Sequence, residues 1–213
     1  MRVRSMLPVA LGILAAQGAA AQSAPAGATP AGATPADSAM TIAPTAEQIT
    51  AAVLPLPAAE RESATVMGYS PEGKLVTLRK GTGPMTCLAS DPKAPRFHVA
   101  CYHRSLEPFM ARGRALRASG IKGEKVDSVR FREARTGKLR LPKQAAALYS
   151  LTGERGSFDA ASGTAPTAKR LFVVYMPYAT AASTGLTAVP VQNAPWIMFP
   201  GTPKAHIMFV PGM

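Results

Sequence analysis

The two cysteines of the chain, Cys87 and Cys101, constrain its fold more than any other feature. They lie in the stretch 85–120, which also holds two of the three histidines and the clearest amphipathic helix. In an exported protein with only two cysteines, a disulfide between them is the expected outcome. It would close a proline-bearing loop and hold the following helix against a sheet, and closure of a loop of this size contributes about 3 kcal/mol. A free-thiol or redox role is the alternative, but the chain lacks a C-x-x-C arrangement.

Export is predicted by the first 21 residues. Arg2 and Arg4 precede a short apolar run and an Ala-x-Ala site, as in a secretory signal peptide. The apolar run is shorter than the about 20 residues that span a bilayer, and we expect no transmembrane segment after signal removal. Residues 22–40 repeat Ala-Gly-Ala-Thr-Pro and are predicted to be a disordered tether. Residues 41–213 then form one domain, which we expect in the periplasm or outside the cell.

The basic residues are concentrated in one part of the chain. The net charge is +12, with 24 Lys and Arg against 12 Asp and Glu. Between Arg104 and Lys143 there are twelve basic and four acidic residues. Such a surface attracts anionic lipid or polysaccharide, although it also serves simply to keep a protein soluble. Export argues against a genomic nucleic acid as the partner. The candidate anion-binding surface consists of Arg112, Arg114, Arg117, Arg130, Arg132 and Arg135.

The pattern of apolar residues predicts an α+β fold. Helices are expected at 45–53, where Thr45 and Gln48 would form a capping box at the domain edge, at 105–119 with Ser105 as the cap, and at 124–136. Arg130 would lie on the outward side of the third helix. A Pro-Glu-Gly turn joins strands 64–69 and 75–79 in a hairpin. Further strands are predicted at 85–89, 99–101, 145–151, 171–176 and 205–210, with 178–203 irregular.

Strands that are followed by helices and then by more strands favour a mostly antiparallel sheet over alternating β-α-β units. The sequence therefore predicts a mostly antiparallel sheet, with the two amphipathic helices on one face and a single disulfide.

The sequence contains no established catalytic motif. G-x-S-x-G, H-E-x-x-H, G-x-G-x-x-G and a P-loop are all absent. The few acidic residues are scattered, which does not favour a carboxylate pair. We therefore expect no cofactor and a binding function without catalysis.

The three histidines offer an alternative. His98 and His103 flank Cys101, and His206 lies on the last predicted strand. If that strand ran beside the disulfide loop, the three imidazoles, with the thioether of Met208, would suit copper or zinc. His103 and His206 would also serve a small hydrolase-like enzyme. Histidines that only form hydrogen bonds are the simpler interpretation.

A third candidate site is aromatic. Trp196, Tyr175 and Tyr178 would line a pocket for a small ring or acyl ligand if they met on the sheet. In a chain that is only 6% aromatic, the same residues also suit an ordinary core.

Several segments resemble a family of exported bacterial proteins known only as hypothetical proteins. These segments are 64–88, 99–103 (VACYH), 108–120, 136–142 (TGKLRLP), 173–186 and 205–212 (AHIMFVPG). The family has a hairpin leading to a G-x-T-C-L element, then a second cysteine, a helix and a closing His-x-Met strand. The corresponding segment here is GPMTCL, with two residues between the glycine and the threonine. This chain has Ala205 where members often have proline. The family has no assigned activity, so the resemblance implies export and a shared fold only.

Together these observations predict a secreted or periplasmic binding module, or an envelope-associated one, with a basic helical face.

Overall fold

The structure is a computed structural model that describes residues 41–211. The predicted signal peptide and tether lie outside the described residues, as do residues 212–213. In chain order the described elements are α1 (Thr45–Val53), α2 (Ala58–Arg61), β1 (Thr65–Tyr69), β2 (Leu75–Arg79), β3 (Met85–Leu88), β4 (Arg96–His103), a 3-10 turn (Arg104–Leu106), α3 (Glu107–Ala118), α4 (Glu124–Arg135), β5 (Ala146–Glu154), β6 (Lys169–Tyr175), α5 (Ala181–Thr184), β7 (Trp196–Met198) and β8 (His206–Phe209).

The strands form one eight-stranded sheet in the order β2-β1-β3-β4-β5-β6-β8-β7. Every neighbouring pair is antiparallel except β1 and β3, which are parallel. The predicted α+β fold with a mostly antiparallel sheet is therefore confirmed. Among the described residues, no helix has the length and apolar character needed to cross a membrane.

The predicted disulfide is present and joins two residues directly opposite each other. Cys87 on β3 and Cys101 on β4 are register partners with Cα atoms 3.9 Å apart, and both are fully buried. Its position relative to the helices differs from the prediction. The Sγ atom of Cys101 lies 3.1 Å from the carbonyl oxygen of Ala52 in α1. This is a close contact and not a hydrogen bond, because a disulfide sulfur carries no proton. The disulfide therefore lies beneath α1, and α3 packs on the opposite face.

Helices cover both faces of the sheet. Side chains alternate along β4, so Phe97, Val99 and Cys101 face α1. Helix α1 was predicted at the domain edge and instead packs over β1 to β4. Tyr102 faces the other way and packs with the apolar residues of α3 and α4. The predicted pair of amphipathic helices on one face is thus present, and α1 adds a layer on the other face.

The predicted capping box at the start of α1 is wrong. Pro44 precedes the helix, and no side chain caps that end. Gln48 is buried and instead pairs with the main chain of Tyr69, where Nε2 donates to the carbonyl oxygen at 2.9 Å and Oε1 accepts from the amide at 2.7 Å. Glycine at position 68 permits this approach, because a Cβ atom there would lie 2.6 Å from Oε1 of Gln48. Gln48 therefore fixes the end of β1.

The helical layer follows the predicted apolar pattern, with two differences. Leu106, Phe109 and Leu116 are buried as expected. The predicted Ser105 cap is replaced by His103, whose Nδ1 accepts a hydrogen bond from the backbone amide of Ser105. Arg130, predicted to point outward from α4, is only 5% exposed. Its guanidinium lies 3.9 Å from the ring centroid of Phe109, a cation–π contact between the two helices.

The region 178–203, predicted to be irregular, contains two short elements. Strand β7 (Trp196–Met198) forms the edge of the sheet beside β8. Helix α5 begins with a capping box between Thr180 and Ser183 and ends at Gly185, which has a left-handed conformation. The frequent prolines of this region hid both elements from periodicity arguments.

Candidate functional site

A cavity of about 510 Å³ lies between the sheet and α3, and we call it the α3 cavity. This volume falls within the range typical of small-molecule sites. The sheet contributes an apolar floor of Leu88, Ala100 and Leu148, from three neighbouring strands. Because alternate residues face opposite sides of a strand, the disulfide at Cys87 and Cys101 directs Leu88 and Ala100 into the cavity. The other lining residues are Tyr69, Ala89, Asp91, Ala94, His98, Tyr102, Met110, Arg114, Arg117, Arg130, Tyr175 and Lys204.

The helical side of the cavity is basic. Arg114 and Arg117 come from α3, Arg130 comes from α4, and Lys204 comes from the loop before β8. Gly113, which has no side chain, leaves room beside α3 for the guanidinium groups of Arg130 and Arg117. A Cβ atom there would lie 3.0 Å from Nη1 of Arg130 and 3.3 Å from Nη1 of Arg117. The side chain of Arg117 is exposed and has no hydrogen bond or ion pair with another described residue. It is the freest cation of the cavity.

Arg114 is held in place by two partners. Its Nη1 donates to the hydroxyl of Tyr102 at 2.9 Å, and its Nη2 donates to Oε1 of Glu107 at 2.5 Å. The Tyr102 hydroxyl in turn donates to Oε2 of Glu107 at 2.5 Å. Burial and the hydrogen bond to Glu107 raise the pKa of Tyr102, so its hydroxyl stays protonated. This triangle fixes the guanidinium of Arg114 at the cavity wall.

Arg130 and Lys204 share one carboxylate, that of Asp127. Arg130 donates to Oδ1, and Lys204 Nζ lies 2.8 Å from Oδ2. Burial alone would raise the pKa of Asp127, but the hydrogen bonds and charges of Lys204 and Arg130 lower it on balance. One acid thus faces two cations, which leaves a positive charge at this end of the cavity.

The hydroxyls of Tyr69 and Tyr175, which both line the cavity, have no hydrogen-bond partner among residues 41–211. Burial, followed by the charge of Asp91, raises the pKa of Tyr69 to about 12. Burial also raises the pKa of Tyr175. Both phenols are therefore neutral donors near pH 7, available to a ligand oxygen.

His98 lies at the open end of the cavity, on β4. Its Nδ1 is 2.8 Å from Oγ1 of Thr152 on the neighbouring strand. Partial enclosure by the cavity wall lowers the pKa of His98, so the ring is neutral near pH 7. It contributes a polar edge, and no permanent charge, to the site.

The six predicted arginines do not form one surface. Arg114, Arg117 and Arg130 line the α3 cavity. Arg112 is engaged between the helices by Glu133, with donor–acceptor distances of 2.6 and 2.8 Å. Arg132 and Arg135 are exposed on the outer side of α4. The predicted outward position of Arg130 is wrong because its guanidinium packs on Phe109 and pairs with Asp127.

The three histidines are not brought together. His98 and His103 lie five residues apart on β4, about 16 Å at a rise of about 3.3 Å per residue. His206 lies on β8, three strands away, or about 14 Å at a spacing of about 4.8 Å. Residues 41–211 contain no group of three or more His, Cys, Asp or Glu side chains arranged to hold a metal ion. The geometry assumed for His98, His103, His206 and Met208 as one copper or zinc site is therefore wrong, and so is that of His103 and His206 as a catalytic pair.

The predicted aromatic pocket is also divided. Tyr175 lines the α3 cavity and contacts the ring of His206 at a centroid distance of 4.9 Å. His206 is buried, and its Nδ1 lies 2.7 Å from the carbonyl oxygen of Lys204. Trp196 is buried in the edge strand β7, and Tyr178 is exposed. Only Tyr175 of the three belongs to the candidate site.

Sequence reasoning missed the part of the site that comes from distant segments. Tyr69 lies at the end of β1, Asp91 in the β3–β4 loop, and Lys204 before β8. Their convergence depends on the strand order, which periodicity does not reveal. The cavity floor does have a signal in the sequence, because the alternation of side chains around Cys87 and Cys101 places Leu88 and Ala100 on the face opposite the disulfide.

Comparison of the chain with protein-family models, with curated proteins and with solved structures finds no match.

Proposed function

We propose that the protein is an exported binding domain that holds a small organic anion in the α3 cavity. The observation that carries this proposal is the cavity itself, in which an apolar floor faces a wall of arginine and lysine side chains. Pockets of this kind orient a largely apolar ligand through a few polar groups. The predicted signal peptide and the resemblance to exported proteins support export, and the disulfide is compatible with it.

The charges point to a ligand with one anionic group. Four cations line the cavity, Glu107 and Asp127 each neutralise one, and Asp91 lies at the rim. One positive charge therefore remains for the ligand, and Arg117 is the cation free to meet it. A carboxylate or sulfonate would accept hydrogen bonds from the guanidinium groups, while a ring or short chain would cover Leu88, Ala100 and Leu148.

Binding suits this site better than catalysis. The two available hydroxyls, of Tyr69 and Tyr175, have raised pKa values and remain protonated near pH 7. They can donate hydrogen bonds but are poor bases or nucleophiles. His98 is tied to Thr152.

Calorimetric titration with 1-naphthoate and its neutral analogue 1-naphthamide tests the proposal. We expect the mature chain (residues 22–213) to bind the carboxylate and to bind the amide at least about tenfold more weakly, because hydrogen bonds to charged groups contribute about 1.5–3 kcal/mol. Arg117→Gln should weaken naphthoate binding about tenfold for the same reason.

Arg135→Gln is the matched control, because it removes the same charge from an exposed residue that does not line the α3 cavity. It should leave the affinity for naphthoate unchanged. Equal affinities for carboxylate and amide, or equal effects of the two substitutions, would refute the proposal.

A second candidate function is association with anionic lipid or polysaccharide at the end of α4. Arg132, Arg135, Lys138 and Arg140 are exposed and have no ion-pair partner among the described residues. Arg132 and Lys138 both lie near Glu133, because their charges help to lower its pKa after the hydrogen bond from Arg112. Cations also stabilise the C-terminal end of a helix, and this is the simpler reason for their presence.

Chromatography on immobilised heparin tests this second candidate. The double variant Arg132→Gln/Arg135→Gln should elute at clearly lower salt than the wild type, because exposed charges act within a Debye length of about 8–10 Å. As the control, Lys74→Gln/Lys80→Gln removes two exposed charges that flank β2, the edge strand at the far end of the sheet order. If both double variants elute together, net charge alone governs retention and the α4 cluster has no special role.

A further inference from the structure

The C-terminal third of the domain carries no charge over a long segment. Residues 171–203 contain no Asp, Glu, Lys or Arg, although the whole chain has a net charge of +12. Seven of the eight large apolar residues that are exposed in the described part of the chain lie between residues 174 and 210. Where such residues form a contiguous patch, the patch marks an interaction surface.

Part of this surface is a row of side chains that extends from the disulfide to β8, the strand next to the edge strand β7. In the strand register, Cys101 pairs with Tyr149, Tyr149 with Phe172, and Phe172 with Phe209, so the four side chains lie on one face of the sheet. Helix α1 packs on this face over β1 to β4. The rings of Phe172 and Phe209 stack with centroids 6.3 Å apart. Phe209 and Val174 are each 36% exposed, so the row ends in an open apolar face.

The loop before β7 carries two further exposed valines. The amide of Ile197 donates to the carbonyl oxygen of Thr187, which holds the loop against the edge strand. Val189 is 67% exposed and Val191 is 39% exposed. Gln192, the residue after Val191, and Val210, at the end of β8, line the same cavity of about 570 Å³. We call Val174, Val189, Val191, Phe209 and Val210 the C-terminal apolar face.

The rim of this face is positively charged. Lys169 and Arg170 line the same cavity as Val210, and no acidic residue lines it. An apolar patch that borders on cations matches the interface of an anionic membrane, where acyl chains lie beneath negative headgroups. A second copy of the chain is a poorer match, because two molecules of the same strong positive charge repel each other.

We propose that the C-terminal apolar face docks on the surface of a membrane that contains anionic lipid. Val189 and Val191 enter the headgroup region, and Lys169 and Arg170 lie against the lipid phosphates. Because residues 171–203 carry no charge, no ionised side chain of that segment loses its hydration on insertion. The inference rests on the proposed export and on attraction to anionic surfaces, and it is independent of the α3 cavity.

Co-sedimentation with vesicles tests the proposal. The mature chain should bind vesicles of equal parts phosphatidylglycerol and phosphatidylcholine more strongly than vesicles of phosphatidylcholine alone. Val189→Ser/Val191→Ser should reduce the partition coefficient about tenfold, at high as well as at low salt, because burial of apolar surface is not screened. Val76→Ser is the matched control, since Val76 is 37% exposed on β2 at the far edge of the sheet.

The outcomes separate this proposal from the one for α4. Arg132→Gln/Arg135→Gln should reduce vesicle binding at low salt only, because salt screens exposed charges. Wild-type vesicle binding by Val189→Ser/Val191→Ser, or no binding by the mature chain, would overturn the membrane proposal. So would a stable dimer in sedimentation equilibrium that the valine substitutions dissociate, since the face would then bind a second copy. All variants should unfold at the wild-type temperature, because the exchanged valines are exposed.

Discussion

Replacing both cysteines with alanine is expected to lower the free energy of unfolding by about 3 kcal/mol, the loop-closure contribution for a separation of 14 residues. Cys87 and Cys101 are also fully buried beneath α1, so their removal leaves space in the core. Urea unfolding of the oxidised wild type and of Cys87→Ala/Cys101→Ala measures the difference. The double substitution avoids leaving one free thiol.

The effect should extend to the α3 cavity. Strands β3 and β4 carry the disulfide on one face and Leu88, Ala100 and Tyr102 on the other. Loosening this hairpin should weaken naphthoate binding together with stability. As a control, Cys87→Ser/Cys101→Ser should lose still more stability than the alanine pair, because two hydroxyls are then buried and only the one at position 101 has an acceptor nearby, the carbonyl oxygen of Ala52. An alanine variant within about 0.5 kcal/mol of the wild type would show that the disulfide does not stabilise the fold.

The second large effect is expected at Arg130. Arg130→Met should lower the free energy of unfolding by about 2–3 kcal/mol, because breaking a buried ion pair costs about 3–5 kcal/mol and Asp127 retains Lys204. The guanidinium also packs on the ring of Phe109 and donates to the carbonyl oxygen of that residue. Methionine keeps much of the volume, so the loss reports mainly on charge and hydrogen bonding. Arg132→Met, at an exposed position of the same helix, should change stability by less than about 0.5 kcal/mol.

The pH dependence gives the sign of the Asp127 contribution. The pKa of Asp127 is lowered in the folded protein, so its stabilising effect is present above the unfolded pKa of about 4 and is lost as the pH falls through the lowered value. The difference between wild type and Arg130→Met should therefore be largest near neutral pH and should shrink in acid. A difference that is constant from pH 7 to pH 3 would contradict a role for the ion pair.

Much of the fold follows from local patterns in the sequence. The Ser70–Gly73 turn forms as predicted, with the amide of Gly73 donating to the carbonyl oxygen of Ser70 and a φ of 72° at Gly73. The apolar spacing of α3 and α4 placed both helices correctly. The capping box failed because Gln48 has better partners in Tyr69, a residue that is remote in the sequence. Local propensity cannot anticipate such a tertiary contact.

The candidate site was only partly predictable. The density of arginine between residues 104 and 143 predicted an attraction for anions, and the structure divides those arginines between a cavity and an outer surface. Which arginines line the cavity depends on where α3 lies over β3, β4 and β5, and the periodicity of a helix does not specify that position. The three histidines do not converge as the alternative metal site required, because two strands separate β4 from β8. Strand order, like the position of α3, is a tertiary feature.

The most direct test of the central proposal is to locate the anion by crystallography of the mature chain with 1-naphthoate. We expect the carboxylate within hydrogen-bond distance of the Arg117 or Arg114 guanidinium, with the ring over Leu88, Ala100 and Leu148. Naphthoate bound elsewhere, or an α3 cavity that holds only water at a saturating concentration of the ligand, would contradict it.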